Sequence, residues 1–356
     1  MIDTALAPIL AQFPATKNAF FCERYGNGHI NETYLVKTEC GEYILQKINK
    51  NVFRTPEAVM HNIKGVTAHL GAKYGEMGLD PKRKTLTLNP TKDGNSFFVT
   101  EEGEYYRLYD FVKDSMTLDA PKTVEEFALA GRAFSEFASM LSDFPAEELL
   151  EVIPRFHDTP NRFRLFTEAV ALDPLGRAKD VAAEIDFYVK REKFMHTLMD
   201  AHHAGALPLR VTHNDTKLNN ILFDATSGEA LCVIDLDTVM PGFTVNDFGD
   251  AIRFGANTAA EDETDLSLVT FSLDRYRAYA AAYLEADGLT EKEKELLPEG
   301  ALMMTVECGM RFLTDYLLGD TYFRIHRPQH NLDRARTQIR LAQHMEAAWD
   351  ILKSMR

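Results

Sequence analysis

The stretch LRVTHNDTKLNNILFDATSGEALCVIDLDT, residues 209–238, constrains what this chain can fold into more than any other. An apolar lead, Leu209 and Val211, runs into a polar loop from His213 to Asn220, and a short strand, Ile221 to Phe223, follows at once. A TSGE turn reverses the chain, and a second strand, Ala230 to Ile234, ends on Asp235. Hairpin geometry returns Asp235 to the loop that carries Asp215 and Asn220, so three oxygen-bearing side chains are expected to converge.

Phosphoryl transfer from a nucleotide needs such a set: a carboxylate to deprotonate the attacking hydroxyl, and a carboxylate plus an amide to hold Mg2+ on the phosphates. Asp215 is the natural base. Asn220 follows it by the spacing of the metal-binding Asn in HxDxxxxN, and Asp235 stands at a strand end where a metal carboxylate belongs. Taken singly, His213 reads as a packing histidine, Asp215 as an N-cap and Asp235 as a turn former. Their joint placement on strand, loop and hairpin favours the catalytic reading.

VTHNDTKLNNIL followed by IDLDT resembles the aminoglycoside phosphotransferase and choline kinase group, relatives of protein kinases, and within it the N-acetylhexosamine 1-kinases. The likeness extends through YGNGHINETYLV, RFHDTPNRF, NDFGDAIRFGAN, ECGMRFLTDYLLGDTYF and HNLDRARTQI, so it covers nearly the whole chain. It implies an α+β, bilobal, protein-kinase-like fold. Residues 1–110 would form a nucleotide-binding lobe, an antiparallel sheet with one main helix. Residues 111–356 would form a larger, mainly helical lobe for catalysis and acceptor binding. The activity implied is ATP- and Mg2+-dependent phosphorylation of the anomeric (C1) hydroxyl of N-acetylglucosamine or N-acetylgalactosamine. Three alternatives are another sugar, a choline-like amino alcohol or an aminoglycoside as acceptor on the same fold; a nucleotide-binding relative without turnover; and a metallohydrolase built on His202, His203, His213 and Asp215. The last lacks any supporting ligand spacing.

With 356 residues the chain is long enough for two lobes. A hydrophobic content of 45% and a charged content of 26% are those of a soluble globular protein. The formal net charge of -15 argues against nucleic-acid or anionic-membrane partners, which require Lys and Arg. No apolar run reaches the length of a membrane span, and the N-terminus has no basic region before a long apolar stretch. Cys22, Cys40, Cys232 and Cys308 form no CxxC pair, which suits reduced thiols in the cytoplasm.

Strands are expected at Phe20–Tyr25, Thr33–Lys37, Tyr43–Ile48, Thr85–Leu88, Ser96–Thr100 and Tyr105–Phe111. Gly26 and Gly28, at the first turn, would let backbone amides approach phosphate. In the third strand the kinase register places Gln46 where a phosphate-binding lysine is usual, with Lys47 on the opposite face. Asn62, on the helix from about Pro56 to Leu70, stands where that lysine's glutamate partner is usual. A neutral Gln46–Asn62 pair is therefore expected, and whether Gln46 or Lys47 serves the phosphates stays open. Tyr109 to Val112 mark the switch to helical periodicity, where Tyr109 and Phe111 would offer adenine backbone groups and apolar faces.

Further on, a core helix is expected at Val124–Leu141, one long helix at Lys179–His203, and helices near 272–287, 292–318 and 331–353. Asp247, Phe248 and Gly249 spell DFG, yet Asp247 reads as an anchor for the catalytic loop rather than a metal ligand. Asp237, two residues past Asp235, is placed either to join the metal shell or to bind its waters. The resemblance puts the acceptor pocket at His29, Phe254, Arg311 and Tyr322, with Arg311 able to donate to sugar oxygens and Tyr322 or Phe254 to cover an apolar sugar face.

Overall fold

Period-2 patterning in the N-terminal third yields one antiparallel sheet. A computed structural model describes residues 3–26 and 30–354. Gly28 and His29, expected in the phosphate loop and the acceptor pocket, lie outside the described residues. The strands are β1 (Phe21–Arg24), β2 (Glu32–Lys37), β3 (Glu42–Ile48), β4 (Leu88–Asn89), β5 (Phe98–Val99) and β6 (Tyr105–Asp110), in the order β1-β2-β3-β6-β4, with β5 also on β6. The expected strand at Thr85–Leu88 shrinks to β4, because Pro81–Lys84 forms a helical turn capped by Asp80.

Side chains alternate across this sheet. Leu45, Tyr106 and Leu108 turn to one face, where Leu6, Ile9, Leu10 and Phe13 of the N-terminal segment close a core. Gln46 and Arg107, paired in the β3–β6 register, turn to the other. There Met60 of α1 (Pro56–Glu76) touches the Arg107 guanidinium.

The chain is α+β and forms two compact units. The first joins Met1–Thr117 to two later segments, Asp143–Pro154 and Asn220–Met240; the second holds Leu118–Ser142, Arg155–Asn219 and Pro241–Arg356. The first unit is thus discontinuous in sequence. Its second sheet pairs Ser115–Met116 with Ile221–Asp224, and Ile221–Asp224 with Ala230–Val233.

The second unit is helical: α2 (Val124–Met140), α3 (Thr159–Leu172), α4 (Thr244–Gly255), α5 (Leu273–Tyr283), α6 (Glu291–Leu318) and α7 (His330–Ala347). Capping boxes start α2, through Thr123 and Glu126, and α6, through Thr290 and Glu293. The expected single helix at Lys179–His203 is broken into Ala182–Val189, Glu192–Met195 and Thr197–His203. At the first break Arg191 turns back on the Phe187 carbonyl and forms a two-pronged pair with Glu346, which a continuous helix would not orient. No helix among the described residues is long and apolar enough to cross a membrane.

The α4–α6 crossing is set by two glycines. A Cβ at Gly249 would lie 2.2 Å from the Gly300 carbonyl oxygen, and one at Gly300 would lie 2.1 Å from that of Val245. Backbone atoms cannot yield as a flexible side chain can, so Gly249→Ala must push the helices apart. The expected outcome is a loss of about 1–3 kcal/mol or more, read as a lowered midpoint in denaturant or thermal unfolding. A variant as stable as the parent would show that the crossing has slack.

Candidate active site

In the first unit, the hairpin places the two residues expected to hold metal. Val233 pairs with Ile221, and the Ile234 amide donates to the Asn220 carbonyl at 2.9 Å, so Asn220 and Asp235 share one end of the hairpin. Asp235 is exposed in a left-handed conformation, φ 58 and ψ 55, an unfavourable one for a residue with a Cβ. Asn220 is buried. A carboxylate and an amide are hard oxygen donors and fit Mg2+; with few protein ligands, such an ion completes its shell from water and phosphate oxygens.

Asp237 does not join them. It is 2% exposed, accepts from Asn31 Nδ2 at 2.5 Å, and forms an ion pair with Arg107 Nη1. The same guanidinium donates to Gln46 Oε1 through Nε at 3.0 Å and Nη2 at 2.8 Å. Burial pulls the Arg107 pKa down, but the Asp237 carboxylate outweighs it and the net shift is upward. The cation is therefore fixed.

This corrects the expected Gln46–Asn62 pair. Gln46 bonds Arg107 and, through Nε2, Thr33 Oγ1 at 3.1 Å. Asn62 instead donates to the carbonyls of Leu150 at 2.7 Å and Val239 at 2.8 Å and accepts from the Leu150 amide, joining three segments of the unit. Lys47 does face the other way, 3.2 Å from Glu104. The Phe111 amide donates to the Glu42 carbonyl at 3.0 Å. The Phe111 ring remains, edge-on to Tyr25 at 5.7 Å. Tyr109 is buried, 5.3 Å from the Arg107 guanidinium. Gly26 has φ 73 and open space around it.

Arg107→Met would leave the Asp237 carboxylate buried and unpaired. A loss of about 3–5 kcal/mol is expected, with much of it recovered in Arg107→Met/Asp237→Leu, where neither charge remains. Urea denaturation of both variants checks this, and additive losses in the double variant would contradict it.

In the second unit the loop that carries Asp215 hangs from Asp247. Its two carboxylate oxygens accept the amides of His213 and Asn214, both at 2.7 Å, and its carbonyl accepts the Thr216 hydroxyl at 2.5 Å. The other letters of DFG are structural too. Phe248 is fully buried against Tyr276, Tyr279 and Tyr283, and Gly249 makes the helix crossing. His213 is buried beside Phe134 and Phe137, as its packing reading expects, and accepts the Asp215 amide on Nδ1 at 3.3 Å. Asn214 is left-handed at φ 63, which tips the chain so that Asp215 emerges half-exposed. Lys217 Nζ sits 2.7 Å from Asp215 Oδ1, and that carboxylate's charge, against burial, raises the lysine pKa.

Burial raises the Asp247 pKa from 3.8 to about 6 against the opposing effect of His213 and the two amides. Between those values the folded chain binds a proton that the unfolded chain does not, so this group's contribution to stability is present below 3.8 and is lost as pH rises through about 6. Asp247→Asn should be less stable at every pH and should lack that slope. Unfolding midpoints of parent and variant from pH 4 to 7 check it; parallel curves would contradict it.

The acceptor candidates also lie in the second unit. Arg311, half-buried on α6, has its guanidinium 5.1 Å from the Phe156 ring, 5.6 Å from Phe323 and 6.0 Å from Tyr322, with no hydrogen bond or ion pair among the described residues. Asp315 orders the loop bearing those last two rings by accepting the amides of Thr321, Tyr322 and Phe323. Tyr322 is 65% exposed, and Phe254 is half-buried on α4. Burial and the neighbouring Arg311 charge lower the Arg162 pKa, a sign of two cations held close.

Sequence reasoning missed Arg107, Lys217 and Glu307. Glu307 is fully buried one helical turn before Arg311, and accepts from Thr159 Oγ1 at 2.5 Å beside His157. A glutamate inside the apolar stretch of α6 was its available signal.

The sequence model described as the phosphotransferase enzyme family matches residues 22–289. Among solved structures, a microcompartment-associated aminopropanol kinase is 16% identical, with a TM-score of 0.61 and 99% of each chain covered. An aminoglycoside phosphotransferase from Alicyclobacillus acidocaldarius is 12% identical, with a TM-score of 0.62, covering 99% of this chain and 96% of its own. An amicoumacin kinase, solved with AMP-PNP and Ca2+, is 11% identical, with a TM-score of 0.58 and coverages of 96% and 93%. At these identities the likeness is one of fold.

Proposed function

Because the chain belongs to the phosphotransferase enzyme family, we propose that it transfers phosphate from ATP, with Mg2+, to the anomeric hydroxyl of N-acetylhexosamines. The observation that carries the acceptor class is Arg311: a guanidinium boxed by aromatic rings, with its donors unused among the described residues and Arg162 close by. The relatives above include kinases named for amine-bearing acceptors. A cationic acceptor would be repelled by these two arginines. A neutral sugar supplies hydroxyl and acetamido oxygens for Arg311 and apolar faces for Tyr322 and Phe254. His29 belongs to the same proposal, outside the described residues.

Asp215 is the base. It takes the acceptor's proton as the hydroxyl oxygen bonds to the γ-phosphorus and the bond to the ADP oxygen breaks. Lys217 holds Oδ1 of that carboxylate. Gly26 and Gly28 would face phosphate, Gln46 would act through the Arg107 it braces, and Tyr109 and Phe111 would flank the nucleotide base. Asn220 and Asp235 would hold Mg2+, which neutralises phosphate charge when bound.

Incubation with ATP, Mg2+ and N-acetylglucosamine or N-acetylgalactosamine should give a product with phosphorus coupled to the anomeric proton and no reducing end. Asp215→Asn should bind both substrates yet turn over at least about 100-fold more slowly, since an amide cannot accept the proton. Phosphate on C6, or preferential turnover of an amino alcohol, would overturn the acceptor assignment. An active Asp215→Asn enzyme would overturn the mechanism.

A further inference from the structure

Beside Arg311 the second unit buries an imidazole with one nitrogen unaccounted for. His157 lies on the turn before α3, with its side chain 9% exposed. Its Nδ1 is 2.8 Å from Glu307 Oε1, and the other oxygen of Glu307 takes the Thr159 hydroxyl. Nε2 is buried and has no hydrogen-bond partner among the described residues. The Phe156 ring connects this group to Arg311, its centroid 4.3 Å from the imidazole and its face 5.1 Å from the guanidinium.

Buried polar atoms nearly always find partners, so one that does not calls for an explanation. Glu307 narrows what that partner can be. Burial acts to raise its pKa, but His157, Arg311 and Thr159 outweigh it and hold the carboxyl ionised. An ionised carboxylate only accepts hydrogen bonds, so Nδ1 carries a hydrogen toward Glu307 and Nε2 is the ring atom left for a ligand, one that a hydroxyl can serve as donor or as acceptor. Arg311, by contrast, can only donate. A ligand serving both must present an acceptor oxygen to Arg311 and a hydroxyl to His157.

We propose that His157, held by Glu307, shares a hydrogen bond at Nε2 with a second, non-reacting hydroxyl of the acceptor, and so selects polyhydroxylated acceptors over those with a single hydroxyl. This rests on the neutral-sugar reading and deepens it: an amino alcohol whose one hydroxyl is phosphorylated has none left for His157. His157 is thus a specificity residue and Glu307 a positioning one.

The test uses the full-length protein, ATP, Mg2+, N-acetylglucosamine and its 3-, 4- and 6-deoxy analogues. With the parent enzyme, one analogue should lose about 10-fold or more in kcat/KM. His157→Phe should lose a similar factor with the intact sugar and nothing further with that analogue, while the KM for ATP stays within about twofold. His157→Asn, which retains an N–H toward Glu307 but has no Nε2, should behave like His157→Phe, and carries the comparison if the phenylalanine variant does not fold. Independent, additive losses, or equal damage to ATP and sugar binding, would reduce His157 to a structural role and overturn the proposal. If another polyhydroxylated compound proves to be the acceptor, the N-acetylhexosamine reading fails while the same comparison, run with that compound's deoxy analogues, still decides on His157. Preference for a single-hydroxyl amino alcohol would overturn both.

Discussion

The buried pair of Arg107 and Asp237 is the contact on which the first unit depends. It ties the middle of the sheet to a hairpin segment more than a hundred residues later, and each partner is braced by neutral amides, Arg107 by Gln46 and Asp237 by Asn31. Two desolvated charges would destabilise the interior if their remaining donors and acceptors were left open. Here the amides engage them. The arrangement fixes the position of the backbone just past Asp235, and so fixes where that exposed carboxylate points.

In the second unit Asp247 has the corresponding task. One carboxylate and one carbonyl hold three successive parts of the loop around Asp215, and the buried His213 ring keeps the loop from collapsing inward. Asn214 and Asp235 both adopt left-handed backbone, a conformation that persists only when surroundings over-determine it. Asn214 sits next to Asp215, the proposed base, and Asp235 is one of the two residues proposed to hold the metal. Stiff supports and locally unfavourable backbone therefore occur together.

Much of this was legible in the residues themselves. The strands of the main sheet, the spacing of Asp215, Asn220 and Asp235, the reading of Asp247 as an anchor and the placing of Lys47 on the far face follow from periodicity and from the short list of residues able to do each task. What escaped depends on neighbours across strands or far along the chain. Arg107 meets Gln46 from the adjoining strand, which only the observed β3–β6 register reveals. Asn62 looked like a partner for Gln46 by position on its helix, yet its amide turns to the backbone of Leu150 and Val239. The His157–Glu307 contact joins a turn to a helix across nearly half the chain, and no local pattern encodes it.

The discontinuity of the first unit has a consequence for how the chain can be made. Met1–Thr117 contains the six-stranded sheet and the Arg107 cation but not Asp237, and it lacks Leu150 and Val239, the backbone partners of Asn62. A nascent chain of that length would hold the Arg107 guanidinium without its carboxylate and the Asn62 amide without its backbone partners. The unit can close only once residue 240 has left the ribosome, and by then nearly a hundred residues of the second unit are already present and competing to fold. Synthesis from the N-terminus therefore cannot complete the two units one after the other. The sheet must wait in a partly open state, its charged centre hydrated, until the distal hairpin arrives to displace the water.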